Sequence, residues 1–238
     1  MMASPSMPVL WMVEIPQELS AEEAQAIRQE LGPEDLSKER LPHSLHPRVH
    51  AERLLGRYYL RKLLEQETEL QGTGWHFELD AQGKPYVRHP SLKTPPYVNL
   101  SHTHGALLCG LSFDGELGVD IEDSSREVNL DKLAQRCFTP HERDWLNDAA
   151  SQRHGFFRAW TLKEAYIKAI GTGMRTPLQS IEICPDSDEA LAIYQDGRRL
   201  RSWHFETQCH QHYHMSLCVH ASEGSSSDVR WEFFAFAK

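Results

Sequence analysis

The sequence lacks any hydrophobic run long enough to cross a bilayer, which takes about 18 apolar residues. The N-terminal segment MMASPSMPVLWMVEIP has no basic start and only a short apolar run at residues 8–13. A signal peptide needs a longer apolar stretch behind positive charge, so this run predicts a first β-strand instead. We therefore expect a cytoplasmic protein that does not partner a membrane.

Cysteine is scarce and irregularly placed. The five cysteines form no CxxC pair, and an odd number without metal-like spacing predicts reduced, mostly buried thiols. Basic residues are outnumbered, and the formal net charge of −9 argues against a general nucleic-acid binder. A local basic groove for a phosphorylated small molecule is compatible with this balance.

The composition and patterning indicate a mixed fold with a sizeable core. The chain has 238 residues, 40% of them hydrophobic, which fits one large domain or two small ones packed together. Capping boxes at Ser20/Glu23 and Thr139/Glu142 predict helix starts, and the first of these helices runs to about Leu31. Apolar residues at helical spacing predict further helices over residues 49–66 and 156–170, the second of which ends at Gly171.

The remaining segments predict short strands. Residues 75–79 alternate as a half-buried strand does, and a turn follows at 81–87. Residues 97–122 predict three strands, broken near 104–105 and 114–115. Later strands are predicted over residues 180–184, 191–194, 200–207, 212–220 and the C-terminal segment VRWEFFAFA. The chain is therefore of the α+β class, with antiparallel sheets.

The strand LGVDIED carries two acidic residues on one face. Because side chains alternate along a strand, Val119 and Ile121 face the core, while Asp120 and Glu122 project together about 6–7 Å apart. Mg²⁺ binds carboxylate oxygens together with substrate phosphates. A solvated acidic edge strand explains these two residues equally well when they are taken alone.

The helix WTLKEAYIKAIGTG places charges beside an apolar ridge. At about 100° per residue, Glu164 and Lys168 lie along one border of the ridge and Lys163 along the other. The ridge consists of Phe156, Phe157, Trp160 and Ile167. An ordinary Glu–Lys pair four residues apart, worth a few tenths of a kcal/mol, is the simpler explanation of the helix by itself.

In combination, GVDIE followed by FFRAWTLKEAYIKAIGTG resembles the signature of the phosphopantetheinyl transferases, of the larger single-chain type that activates surfactin synthetase. Three further segments occur in the matching order: GKP at 83–85, NLSHT at 99–103 and CFTPHE at 137–142. The resemblance spans residues 50–175, and the segment beyond Pro177 carries no matching motif.

The resemblance implies a pseudo-dimer of two similar α+β halves, residues 1–116 and 117–238, with a ligand cleft between them. It implies transfer of the 4′-phosphopantetheine arm of coenzyme A to a serine of an apo acyl or peptidyl carrier protein, releasing adenosine 3′,5′-bisphosphate. The implied cofactor is Mg²⁺, coenzyme A is the co-substrate, and we expect a monomer. Docking of the carrier is expected between residues 126 and 158, through a local apolar or basic patch because both proteins are acidic.

The same resemblance implies roles for individual residues. Asp120, Glu122 and Glu164 would bind the magnesium ion. Lys168, and with less support Lys163, would contact the pyrophosphate. Glu164, directly or through water, is the candidate base for the serine hydroxyl.

Upstream motifs imply further contacts to coenzyme A. Lys84 would reach the nucleotide, and Ser101 and His102 would contact phosphate, with His102 near the 3′-phosphate. Arg53 is the first choice for the 3′-phosphate, with Arg48 and Arg57 as alternatives. Without the motifs, each of these residues would be interpreted as an ordinary solvated residue of a loop or a helix face.

Three rival hypotheses can be stated from the same sequence. His210, His212 and His214 alternate and could bind zinc or copper, although the intervening residues supply a core face and favour histidines that point to water. The acidic set could serve a magnesium-dependent phosphoanhydride hydrolase. A third possibility is a module that binds coenzyme A without transferring it.

Overall fold

The computed structural model describes residues 7–36, 46–72, 74–80, 84–148, 152–185, 191–220 and 228–236. Five helices lie in these ranges: α1 (Ala21–Leu36), α2 (Pro47–Thr68), α3 (Leu130–Cys137), α4 (Pro140–Asp148) and α5 (Gln152–Ile170). Two 3₁₀ turns follow α5, at Gly173–Arg175 and Leu178–Ser180. Over these ranges, none of the helices combines the length and apolarity needed to span a membrane.

Twelve strands lie in the same ranges. They are β1 (Val9–Glu14), β2 (His76–Leu79), β3 (Pro85–Arg88), β4 (Tyr97–Thr103), β5 (Ala106–Ser112), β6 (Leu117–Asp123), β7 (Ile181–Pro185), β8 (Leu191–Gln195), β9 (Arg198–Arg199), β10 (Trp203–His210), β11 (Tyr213–His220) and β12 (Arg230–Ala235). The predicted α+β class is confirmed.

Local sequence signals explain where the helices begin and end. In both predicted capping boxes the hydroxyl and the carboxylate exchange hydrogen bonds with backbone amides, Ser20 with Glu23 and Thr139 with Glu142. Helix α1 is interrupted at Gly32 (φ 81°), close to the predicted end. Helix α5 ends at Ile170, and Gly171 (φ 68°) follows it as the left-handed stop that the sequence predicts.

The first part of the chain builds a four-stranded sheet with the order β12-β1-β5-β4. Helix α2 packs on one face of this sheet, where Leu54 and Leu55 join Val9, Trp11 and Val13 in one buried cluster. The hairpin β2-β3 contributes to the same cluster, since Phe77 is buried in it. This part of the chain therefore has its own hydrophobic core.

The later part builds a three-stranded antiparallel sheet with the order β10-β11-β6. Helix α5 packs on one face of it, and a small sheet β7-β8-β9 closes the far side of the helix core. The opposite face of β6, carrying Val119 and Ile121, meets Leu10 and Met12 of β1 in a third buried cluster. The two sheets thus pack face to face.

Several boundaries differ from the predictions. Strand β12 pairs in parallel with β1, so the last strand lies in the first sheet and not in a C-terminal half running to residue 238. It covers the open edge of β1, which would otherwise leave backbone groups unpaired. The division at residues 116/117 otherwise stays a prediction.

Three local predictions need correction. Helix α3, capped by Asn129, was not predicted. Part of the predicted turn at 81–87 is strand β3, and residues 81–83 lie outside the described part of the chain. The strand predicted over 200–207 begins at Trp203 instead.

All five cysteines are free thiols. Cys109, Cys137 and Cys218 are buried, whereas Cys184 is half-buried and Cys209 is exposed. The expectation of reduced, mostly buried thiols agrees with this arrangement.

Candidate active site

The two carboxylates of β6 lie on the strand face that α5 covers. Val119 and Ile121 are buried in the inner cluster, as the alternation predicts. Asp120, on the other face, is only 5% exposed, and Glu122 is half-buried. The alternative of a solvated acidic edge strand is therefore excluded for Asp120.

Gly118 permits the close approach of α5 to β6. A Cβ atom at this position would lie 2.0 Å from the carbonyl oxygen of Ala165 and 2.3 Å from the amide nitrogen of Ala169. Both are backbone atoms of the helix, which cannot rotate away. The small residue therefore sets how near Glu164 and Lys168 come to Asp120.

Asp120 is held by two polar groups and keeps one oxygen unpaired. Its Oδ1 accepts hydrogen bonds from Lys168 Nζ at 2.7 Å and from Ser101 Oγ at 2.8 Å. Its Oδ2 is buried and has no hydrogen-bond partner in the described structure. A buried carboxylate oxygen without a donor is costly, so this atom marks a position suited to a cation.

Glu122 receives three contacts at the edge of the site. Trp160 Nε1 donates to its Oε1 at 3.1 Å, Arg126 Nη2 lies 3.1 Å from its Oε2, and Thr103 Oγ1 lies 3.4 Å from the same oxygen. Burial raises the pKa of Glu122, and the neighbouring charge of Asp120 raises it further. The side chain is thus placed in a crowded acidic environment.

Glu164 lies on α5 one turn before Lys168, half-buried against the same strand. Burial raises the pKa of its carboxyl, and the charge of Asp120 adds to this effect. A carboxyl with a raised pKa is a better proton acceptor near neutral pH than an ordinary glutamate.

The three carboxylates suit a hard divalent cation by their chemistry, because Mg²⁺ prefers oxygen ligands. Within the described ranges, however, they are not among the sets of three ligand side chains whose atoms lie within 4.8 Å of one another. Like charges separate without a cation, and Lys168 and Arg126 bind two of the carboxylates instead. Sharing one ion therefore requires side-chain rotation.

The NLSHT strand links the two sheets through its alternate side chains. Asn99 Oδ1 accepts a hydrogen bond from the amide of Val119 at 3.0 Å, and Thr103 Oγ1 accepts one from the amide of Asp123 at 3.3 Å. Between them, Ser101 Oγ receives a hydrogen bond from Lys168 Nζ at 2.7 Å and donates to Asp120. Ser101 is 4% exposed, so in this conformation it contacts Lys168 and Asp120 and is shielded from solvent.

His102 points to the other face of β4, where neighbouring atoms cover part of its side chain and 46% of it stays exposed. Its Nε2 lies 3.5 Å from Glu52 Oε2 of α2. Burial by its neighbours lowers the pKa of His102 despite this carboxylate, and the charges of Lys168 and Arg53 lower it further. His102 and Arg48 line a cavity of about 750 Å³ that extends to Glu122.

Arg53, Arg57 and Arg61 recur every four residues on α2, a spacing that predicts one solvated basic stripe, but they do not share one surface. Arg53 is exposed and lies close enough to influence His102. Arg57 stacks on the ring of Phe77 at 4.4 Å. Arg61 is 5% exposed and pairs with Glu65 at 2.8 Å, which removes it from any solvent-facing stripe.

Lys84 lies at the opposite end of β6 from His102. Its Nζ donates to the carbonyl oxygen of Ala169 near the end of α5 and lies 3.3 Å from Glu116 Oε2. Lys84 and Glu116 line a second cavity of about 780 Å³. The predicted contacts to coenzyme A are therefore spread along β6.

Lys163 contradicts the prediction that it contacts the pyrophosphate. It is fully buried, and its Nζ donates to Glu142 Oε2 at 2.7 Å and to the carbonyl oxygens of Cys137 and Leu178. These partners lie on the side of α5 away from β6. Burial lowers the pKa of Lys163, although Glu142 opposes the effect.

Comparison with known proteins bears directly on this arrangement. Residues 116–218 match the profile of the 4′-phosphopantetheinyl transferase superfamily. The 4′-phosphopantetheinyl transferase gsp of Aneurinibacillus migulanus is 33% identical over 69% of this chain and 67% of its own length. This chain belongs to the 4′-phosphopantetheinyl transferase superfamily.

Other relatives of this transferase are more distant or partial. The 4′-phosphopantetheinyl transferase HetI of a Nostoc strain is 30% identical over 63% of this chain and 73% of its own. The human L-aminoadipate-semialdehyde dehydrogenase-phosphopantetheinyl transferase is 27% identical over 79% of this chain and 67% of its own length. A solved holo-(acyl-carrier-protein) synthase from Bacillus anthracis aligns over 45% of this chain and 96% of its own, with a TM-score of 0.39 and 23% identity.

Some contacts in the transferase were not anticipated from sequence. Trp160 and Asn99 lie in the quoted motifs, but nothing in the sequence indicates what they contact. Arg126, which pairs with Glu122, lies outside the motifs. Glu142 was recognised only as a capping residue, yet it also accepts a hydrogen bond from the amide of Ile183 at 2.8 Å. The capping motif reveals only the local contact of Glu142, because its contact with Ile183 depends on a distant part of the chain.

The rival histidine set is dispersed in the structure. His210 stacks on Phe233, and His212 lies 3.8 Å from Asp123 in the turn before β11. His214 is 5% exposed, because α5 covers its strand face. The expectation that all three point to water is therefore wrong for His214.

Proposed function

We propose that this chain transfers the 4′-phosphopantetheine arm of coenzyme A to a serine of an apo carrier protein, with adenosine 3′,5′-bisphosphate as the second product. The observation that best supports this function is that Asp120 is buried beside Lys168, with Glu122 on the same strand and Glu164 on the helix packed against it. Family membership and the named activities of the relatives support the reaction type.

Asp120, Glu122 and Glu164 are the residues that we propose to hold Mg²⁺. The unpaired Oδ2 of Asp120 and the raised pKa values of the other two carboxyls favour this set, since each feature reflects negative charge gathered in a buried place. A bound divalent ion would polarise the phosphoanhydride and offset charge on the leaving group.

Coenzyme A is proposed to lie along β6, between the cavity of Lys84 and the cavity of His102. Glu116 precedes the strand and lines the first cavity, whereas Glu122 lies near its end and lines the second. Lys168 lies between them and is 30% exposed, which suits contact with the pyrophosphate. His102, with Arg53 or Arg48, is the proposed partner of the 3′-phosphate, and Ser101 assists by orienting Lys168.

The proposed reaction is a phosphoryl transfer in which positioning and charge stabilisation dominate. The serine oxygen forms a bond to the phosphorus that carries pantetheine, and the bond from that phosphorus to the anhydride oxygen breaks. Glu164 is the proposed acceptor of the hydroxyl proton, directly or through water. Lys168 stabilises the charge that develops on the departing bisphosphate.

The arrangement of the sheets supports the proposal that the chain contains two related units. In the first unit β1 pairs with β5, and β5 pairs with β4. In the second unit β6 pairs with β11, and β11 pairs with β10. A long helix packs on each sheet. We propose that coenzyme A binds where β4 and β6 of these units meet.

Intact-protein mass spectrometry tests the function. Purified protein with Mg²⁺ and coenzyme A should add one phosphopantetheine arm to an apo acyl or peptidyl carrier, and a carrier with serine replaced by alanine should not change in mass. No gain of mass across several carriers would refute the transfer. Breakdown of coenzyme A without a carrier would instead support the hydrolase, and binding without turnover would support the non-catalytic module.

A further inference from the structure

A cluster of two histidines and one cysteine lies outside the acidic site. Strands β10 and β11 pair so that Cys209 is opposite His214, and Cys209 Sγ lies 4.0 Å from His214 Nε2. His154, in the first turn of α5, packs against His214 with ring centroids 4.6 Å apart. One ligand atom from each of the three residues lies within 4.8 Å of the other two.

The cluster combines one buried and two exposed side chains. His214 is 5% exposed and stacks on Phe157, which restricts its orientation. His154 and Cys209 are exposed, so they can adjust towards it and remain open to an entering ion. A restricted buried ligand with two adjustable surface ligands is a workable metal site.

The cluster lies on the same sheet face as the acidic site, beside it: His214 of β11 is paired in register with Glu122 of β6, and Cys209 lies one strand further away on β10. Trp160 of α5 contacts Glu122 on β6, whereas Arg158 donates from Nε to Thr207 Oγ1 on β10 at 3.0 Å. His154 lies one turn before Arg158 and contacts the β10–β11 side. The cluster therefore uses none of the residues proposed to bind Mg²⁺ or coenzyme A.

We propose that His154, Cys209 and His214 form a Zn²⁺ site with three protein ligands and an open fourth position. Zn²⁺ is borderline soft and binds imidazole nitrogen and thiolate sulfur, in contrast to the carboxylate set, which suits a hard cation. Tetrahedral coordination places ligand atoms about 3.4–3.6 Å apart, so the 4.0 Å sulfur–nitrogen distance closes with a small side-chain movement.

The local charges are compatible with this ion. Burial lowers the pKa of His214 to about 4, and Coulombic interactions with His154 and Arg158 add to the effect, so its imidazole is neutral at physiological pH. Arg158 opposes a cation nearby. The Cys209 thiol loses its proton on binding, and the thiolate offsets that repulsion.

Cobalt spectroscopy on the full, tag-free, reduced protein tests the proposal. Excess Mg²⁺ is included to occupy carboxylate sites, and Co²⁺ is then added as a spectroscopic substitute for Zn²⁺. We expect a thiolate-to-cobalt charge-transfer band that saturates at one equivalent and disappears on addition of Zn²⁺. Carboxylates alone do not produce this band.

Exposed-residue variants identify the ligands without disturbing the core. Cys209→Ser should abolish the band, and His154→Gln should weaken Zn²⁺ binding by at least about tenfold, since even outer partners of a metal are worth that much. Cys184→Ser is the matched control, because Cys184 lies 3.9 Å from His141 Nδ1 in a second surface cluster with Glu182. It should leave the band unchanged.

A thermal measurement gives an independent readout. Zn²⁺ should raise the Tm of the wild-type chain and of Cys184→Ser, because an ion that binds the native state stabilises it. It should not raise the Tm of Cys209→Ser, which lacks one of the proposed ligands. Absence of a band in the wild type would overturn the proposal. A band that survives Cys209→Ser would overturn it equally.

Discussion

Apart from the added strand β12, the two sheet-and-helix units have the same strand order, but their first strands, β1 and β6, carry apolar and acidic side chains respectively on the face towards the helix. In the first unit, the residues of β1 that face α2 are Val9, Trp11 and Val13, all buried and apolar. In the second unit, the residues of β6 that face α5 are Gly118, Asp120 and Glu122. The same topology thus holds a dry core in one unit and a polar site in the other.

The difference shows how a site can be added to this topology at limited cost. The inner faces of β1 and β6 remain apolar and share a core through Leu10, Met12, Val119 and Ile121. Charge is confined to one strand face, where Lys168, Arg126 and Trp160 compensate the two strand carboxylates. On β6, the apolar face contributes to the shared core, and the opposite face carries the charged side chains of the candidate site.

The largest expected effect comes from making the second unit resemble the first in charge. Asp120→Asn should lower the transfer rate by at least about 10²-fold, because it removes negative charge where the cation and phosphates are proposed to bind. Stability should change little, since clustered carboxylates repel one another without an ion. Carrier mass spectrometry and a thermal melt measure the two quantities.

Asp114→Asn is the matched control for Asp120→Asn, as Asp114 is an exposed aspartate six positions before it in the turn between β5 and β6. It should keep full activity. If Asp120→Asn kept its activity, the proposed role would fail, and a large fall in Tm would mark Asp120 as structural.

The buried ion pair of the second unit should dominate its stability. Lys163→Met leaves Glu142 buried without its cation and should cost about 3–5 kcal/mol. Urea unfolding measures the change. Lys132→Met, at an exposed helix position, should cost little. The double variant Lys163→Met/Glu142→Gln should recover part of the loss, because it removes the unpaired charge and keeps an acceptor oxygen for the amide of Ile183. A Lys163→Met protein as stable as wild type would contradict the assigned structural role.

Glycine substitutions compare helix packing between the units directly. Gly118→Ala places a methyl group against backbone atoms of α5 and should cost about 1–3 kcal/mol or more. Gly56→Ala in α2 meets Leu100 Cδ2 at 2.6 Å, the end of a flexible side chain that can move aside. Thermal melts should therefore show a larger fall in Tm for Gly118→Ala. Equal falls would mean that the two helices tolerate added volume alike.

The smallest expected effect concerns alkaline pH. Burial raises the pKa of Tyr59 on α2 and of Tyr166 on α5 to about 12. Unfolded tyrosines titrate near pH 10, so above that pH the unfolded chain loses protons that the folded chain keeps, and stability falls as pH rises.

Replacing each tyrosine with phenylalanine separates the two units in this titration. Tyr59→Phe and Tyr166→Phe should each make the fall in Tm between pH 10 and 12 shallower than in the wild type. Unchanged slopes in both variants would show that these hydroxyls do not set the alkaline limit.

Sequence reasoning was most successful where the signal is local. The capping boxes at Ser20 and Thr139 and the stop at Gly171 depend on residues within one helical turn, and the structure confirms them. The alternation in LGVDIED placed Val119 and Asp120 on opposite faces for the same reason. Motif resemblance then supplied the family, which the comparisons confirm.

It was least successful for side chains whose partners are distant in the chain. Lys163 and Lys168 are alike in the sequence, yet one binds Glu142 in the core and the other binds Asp120 at the site. Arg61 resembles the exposed Arg53 but lies in a buried pair. Helical spacing gives the direction of a side chain, and only the neighbouring elements determine what it meets.

The sequence by itself determined the α+β class, the principal helix and strand positions and the family, because these follow from periodicity, capping and motif order. The residues of the site stay a prediction. Tertiary structure alone decided that Asp120 is buried beside Lys168, that β12 joins the first sheet, and that His154 and Cys209 meet His214. Those outcomes depend on which surfaces pack together, and packing joins residues that no short segment of the chain relates to one another.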